Sequence, residues 1–83
     1  MSASKEPFVT TSTQLDLKGL KCPLPVLKTR KAIGQLASGE TLEVLTTDPM
    51  AFIDIPHFCN EAGHVLEASE RDGEAGRFLI RKG

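Results

Sequence analysis

Two side chains in this 83-residue sequence offer sulfur for covalent chemistry, Cys22 and Cys59. Cys22 stands in the segment GLKCPLP, between a lysine and a proline, where the chain turns into a run with helical spacing. Pro23 and Pro25 have no N–H, but the first turn of a helix leaves its N–H groups unpaired anyway, so they cost little and fix the entry geometry. Pro25 disfavours helical backbone at Leu24, which puts the expected start of the regular helix at Pro25, with Cys22 ahead of it. The sulfur then lies by the positive end of the helix dipole, where a thiolate is favoured and the thiol pKa is expected to fall. Because the Pro25 ring removes only an N–H that the helix start does not need, Pro25→Ala is expected to change stability by no more than about 1 kcal/mol.

Charge is distributed unevenly about this cysteine. Ten basic and eleven acidic residues give a net charge of −1. Between Leu17 and Gly39 there are five basic residues (Lys18, Lys21, Lys28, Arg30, Lys31) and no acid, whereas Glu40 to Glu74 holds nine acids and one base, Arg71. A basic patch formed by Lys21, Lys28, Arg30 and Lys31 is therefore expected to favour the thiolate and to steer an acidic partner surface toward Cys22. The bland alternative, a buried structural cysteine beside a solvated charged face, fits poorly with a cysteine set between Lys and Pro.

What is missing narrows the chemistry. A thiol hydrolase needs a base beside its nucleophile, and the only histidines are His57 and His64, at the end of a second helical segment. There is no Cys-x-x-Cys pair for a dithiol cycle. His57, Cys59 and His64 match no standard zinc spacing, so no metal site is assigned. Cys59 is spaced as a core residue with Ile55 and Ala62. Asp48, followed by Pro49, reads as a helix N-cap. A lone reactive cysteine of this kind suits carrying a group and handing it to another protein's cysteine.

The elements that must position Cys22 follow from periodicity. Residues 1–13 are Ser/Thr-rich and read as a flexible tail, with one folded domain over 14–83. Gln14–Leu17 alternates as a short strand. Val26, Leu27, Ile33, Leu36 and Ala37 form the apolar stripe of a first helix ending at Gly39. Thr41–Thr47 is a β-branched strand. A second helix follows Pro49, with Met50, Ile53, Phe58 and Ala62 toward a core and Pro56 expected to kink or split it. His64–Arg71 and Arg77–Arg81 are strands joined by a hairpin loop over 72–76. The order β-α-β-α-β-β implies an α/β (α+β) two-layer sandwich: a mixed four-stranded sheet with both helices on one face and a solvated face bearing Glu67 and Arg81.

Composition excludes several functions. Near-neutral charge argues against a polyanion binder, and four Phe with no Trp or Tyr leave no platform for stacking bases, so direct nucleic-acid contact is not expected. No apolar run approaches the ~20 residues of a membrane span, and MSASKEPFVTTST lacks the apolar core of a secretory signal. Two cysteines make no disulfide framework. A monomer in the reducing cytoplasm, without cofactor, is the expectation.

GLKCPLP before a helix is the Cys-Pro-x-Pro motif, and with it the chain from about Leu15 to Gly83 resembles the TusA/SirA-like sulfur carriers. TDPMAFIDIPHFC and the closing FLIRKG look especially like TusA. The resemblance implies that Cys22 accepts sulfane sulfur as a persulfide from a cysteine desulfurase or a rhodanese. It implies onward relay to an acceptor protein, in TusA toward 2-thiouridine in tRNA and in relatives toward sulfur-oxidation trafficking. Such a protein acts with partner enzymes rather than turning over alone. The resemblance also matches Pro23 and Pro25 to the motif prolines, Arg30 to a donor-contacting basic position, and Asp48 to the acidic start of the second helix. The chain departs from some members at Gly34, where they carry a further base. A different class of function, a non-catalytic regulatory or interaction module with the Cys-bearing helix as docking face, would leave Cys22 unloaded.

Overall fold

The computed structural model describes residues 12–83; the remainder of the expected tail lies outside them. The elements are β1 (Ser12–Asp16), α1 (Leu24–Gly34), β2 (Thr41–Thr46), α2 (Ala51–Ala62), β3 (Val65–Asp72) and β4 (Ala75–Arg81). The sheet order is β1-β2-β4-β3. β1 pairs parallel with β2, and β4 pairs antiparallel with both β2 and β3. This is the expected mixed sheet.

The strand pleat sorts the side chains. Leu42 and Val44 of β2 and Phe78 and Ile80 of β4 point to one face and are fully buried. Ile33 of α1 and Ala51, Ile55, Phe58 and Cys59 of α2 join them in a single core, so both helices cover this face. Gly76 continues the buried row on β4, because Phe52 lies over it: a Cβ at Gly76 would stand 2.8 Å from the Phe52 ring. The opposite face is mixed, with Leu45 and Leu79 half-buried among polar side chains. Gln14 of β1 donates to Glu43 of β2, Arg77 of β4 pairs with Glu43, and Arg77 reaches Glu70 of β3, so one polar row crosses all four strands. Glu67 and Arg81 also pair on this face. β3 carries an irregularity between Leu66 and Ala68, the kind of bulge that edge strands tolerate.

Several local expectations give way. β1 begins at Ser12, ahead of the expected Gln14. α1 ends at Gly34, and Gln35 caps it, so Gly34, a poor helix former, closes the helix that was expected to run on toward Gly39. α2 is continuous through Pro56 rather than split; the ring removes one N–H, and packing of Ile55, Phe58 and Cys59 holds the remaining turns. On α2 the buried face is Ala51, Ile55, Phe58 and Cys59, while Met50 and Ile53 are exposed, as are Ala62 and, on α1, Leu27. The β3–β4 connection tightens to Gly73 and Glu74, with Asp72 paired to Ala75 and Gly73 at φ 63°. Glycine takes that left-handed conformation without strain, so two residues suffice for the turn.

Candidate functional site

Because β1 and β2 are parallel and each is followed by a helix, α1 and α2 both start at the carboxyl ends of those strands. Open α/β sheets present their sites at this edge. Two loops are stitched together there: Thr47 Oγ1 accepts the Gly19 N–H at 2.8 Å, and the Leu17 N–H donates to the Leu45 carbonyl at 2.8 Å.

Cys22 lies in the turn just ahead of α1 and is exposed, whereas Cys59 is in the core at 2% exposure. The helix begins at Leu24, one residue before Pro25, with Pro23 at the cap position. The Leu24 N–H turns back to the Lys21 carbonyl at 2.8 Å, which satisfies one of the N–H groups that a helix start leaves unpaired. Pro23 is exposed, but Pro25 is buried, so it packs as well as shaping the turn.

Two carboxylates converge on Cys22. Asp48 accepts the Cys22 backbone N–H with one oxygen and the Met50 N–H, at 3.2 Å, with the other. It therefore ties the Cys22 turn to the start of α2. Its side chain does not cap that helix in the expected manner, since the cap position falls at Met50. Asp54, on the first turn of α2, accepts a hydrogen bond from the Cys22 thiol at 3.3 Å.

These contacts reverse the expected shift. The hydrogen bond to Asp54 raises the Cys22 pKa most, followed by desolvation and then by the charges of Asp54 and Asp48. The helix terminus favours a thiolate, but a carboxylate accepting the S–H stabilises the thiol directly, and a second negative group adds to it. Both carboxylates thus favour the thiol form of Cys22 over the thiolate. Burial likewise pushes the Cys59 thiol up.

The basic residues do not gather at the sulfur. Lys21 adjoins it and lines a groove of about 430 Å³ with Asp48 and Glu74. Lys28 and Lys31 line a different groove with Leu15 and Gln35. Arg30 lies over the Phe58 ring at 5.0 Å, roughly 9 Å along α1 from Leu24 at 1.5 Å per residue. Asp54 is the residue that sequence reasoning missed. Its only signal was an acid in the first turn of a helix that starts at the same sheet edge as Cys22. Leu24, Leu27, Met50 and Ile53 were also missed as surface residues; all are at least 43% exposed and lie on the opening turns of the two helices.

The fold and site define a class of small two-layer α+β domains that present one exposed thiol where two helices begin. The family model Sulfurtransferase TusA matches residues 13–82. The chain belongs to that family, and a sulfur-carrier role follows from the membership. Its structure is similar to that of a SirA-like protein from Desulfitobacterium hafniense, with 25% identity over 84% of this chain and 96% of that one and a TM-score of 0.73. Among the described residues no helix is long and apolar enough to cross a membrane.

Proposed function

We propose that Cys22 carries sulfane sulfur as a persulfide, taken from a cysteine desulfurase or a rhodanese in the cytoplasm and relayed to an acceptor protein, as in tRNA 2-thiouridine synthesis. The single observation that supports this most is the setting of the thiol: Cys22 stands exposed in the turn just ahead of α1, open to another protein's cysteine. In the uptake step Cys22 Sγ attacks the outer sulfur of the donor persulfide. The donor S–S bond breaks as the new one forms, the donor leaves as a thiol, and the proton lost by Cys22 balances it. No net oxidation occurs, so no redox cofactor is required, and the protein works only with partner enzymes. Asp48 and the two motif prolines hold the turn that presents the sulfur. Lys21 beside the sulfur and Arg30 farther along α1 are the bases that an acidic donor meets, while Lys28 and Lys31 line a separate groove.

Incubation with a cysteine desulfurase, cysteine and pyridoxal phosphate tests the reading. Mass spectrometry is expected to show a gain of about 32 Da on the Cys22 peptide, the mass of one sulfur, reversed by a reducing agent and absent in Cys22→Ser. A Cys22 that stays unloaded beside an active desulfurase and an active rhodanese would leave a docking module instead.

A further inference from the structure

Charged groups face Cys22 from several elements. Asp54 approaches from α2 and bonds the sulfur at 3.3 Å, and Asp48 approaches from the loop before α2 and holds the main-chain N–H. Lys21 precedes Cys22 in its own turn and shares a groove with Asp48 and with Glu74 of the β3–β4 turn. The S–H donates to a carboxylate, and a thiolate in the same position would face two negative groups. Exchange chemistry nevertheless runs through the thiolate. A carrier arranged in this way is restrained until the Asp54 charge is met by something else.

The surroundings indicate what meets it. Leu24 (43% exposed) and Leu27 (51%) on α1, with Met50 (43%) and Ile53 (62%) at the start of α2, stand on the two helix starts that meet at Cys22. A protein that covers these side chains excludes water from the edge where Asp54 lies. A carboxylate left there without a counter-charge is costly, and an opposite charge is worth more as water leaves. We propose that Asp54 restrains Cys22 in the free protein, and that the restraint is released by a partner surface combining apolar contact with a Lys or Arg side chain that pairs with Asp54. This rests on the sulfur-carrier reading for its biological use, but the restraint itself is testable without any sulfur donor.

The probes are three small disulfides: cystamine, which carries ammonium groups, neutral hydroxyethyl disulfide, and anionic dithiodipropionate. In each reaction the Cys22 thiolate attacks one sulfur, forms the mixed disulfide and expels the other half as a thiolate, while the Cys22 proton passes to solvent. Rates on the full chain at pH 7 and low salt are followed by peptide mapping and divided by those of N-acetylcysteine amide, which removes intrinsic differences between the probes. The expected order is cystamine, then hydroxyethyl disulfide, then dithiodipropionate, with a spread that flattens in Asp54→Asn. Iodoacetamide should also alkylate Cys22 faster in Asp54→Asn, with its pH midpoint moved down. Removing the charge lowers the thiol pKa, and the larger thiolate fraction outweighs the accompanying loss of nucleophilicity, so a several-fold gain at pH 7 is expected. Asp54→Ala, which leaves no acceptor on the sulfur, should behave alike, with circular dichroism confirming the fold of both. A wild type indifferent to probe charge, or folded Asp54 variants with unchanged rate and midpoint, would overturn the proposal. Failure of desulfurase loading with these results intact would count against sulfur carriage and leave the restraint standing.

Discussion

The guanidinium of Arg30 sits 5.0 Å from the centre of the Phe58 ring, so a base expected to face a partner also braces α1 against α2. Both roles are open to one side chain, because arginine covers an aromatic face while its outer N–H groups stay in water.

Arg30→Glu should slow sulfur loading by an acidic donor at low salt, and added salt should narrow the gap to wild type, since screening acts over about 8 Å at physiological ionic strength. Loss of the ring contact removes about 0.5–1 kcal/mol of stability, so Arg30→Gln serves as the control that loses the contact without reversing charge. Stopped-flow loading across a salt series is the measurement. A folded Arg30→Glu protein that loads at the wild-type rate in low salt would remove Arg30 from the donor contact.

Cys22 should be alkylated well before Cys59 under native conditions, and the reason is access. Both thiols have raised pKa values, but Cys22 is exposed and Cys59 is 2% exposed in the core. Peptide mapping after iodoacetamide treatment should show Cys59 labelled only as denaturant is added. Equal native rates would contradict the burial of Cys59.

Pro25→Ala should cost more stability than the conformational argument alone allows. Pro25 is buried, and removing two ring methylenes from a packed site loses about 0.8 kcal/mol each. We expect a total near 1–2 kcal/mol by urea unfolding, with the fold retained. A stability equal to wild type would show that the ring acts through the turn geometry and not through packing.

Glu43 should make the protein more stable above the ordinary glutamate range than below it. The Gln14 amide first, and the Arg77 guanidinium second, hold its carboxyl below the usual value. A group whose pKa is depressed by folding contributes stability above its unfolded pKa of about 4.3, and that contribution is lost as pH falls through the folded value. Glu43→Gln should therefore be less stable than wild type at pH 7, by up to about 1 kcal/mol for a pair open to solvent. The gap should narrow as pH falls below the ordinary glutamate range. A gap that stays constant as the solution is acidified would mean that the charge of Glu43 contributes nothing.

The element order was legible because the switch between strand and helix spacing and the turn glycines are local signals. The helix faces were less so. α2 carries two apolar faces, Ala51–Ile55–Phe58–Cys59 and Met50–Ile53, and spacing alone does not say which one meets the sheet. The thiol pKa was misread for a related reason. The dipole and the lysines are close in sequence, but Asp54, 32 residues away, reaches the sulfur only through the parallel run of the two helices. A tertiary hydrogen bond then outweighs a local field.

The Gln14–Glu43–Arg77–Glu70 row bears on which pairings the chain rejects. A slip of any strand by one residue would carry its member of the row toward the helices and turn its core side chains to water. The nearest mistaken alignments thus lose polar partners and apolar burial together. In a sheet whose described strands end at β1 and β3, that separates the native arrangement from its closest competitors by a gap rather than a gradient, and it leaves slipped, aggregation-prone pairings little foothold.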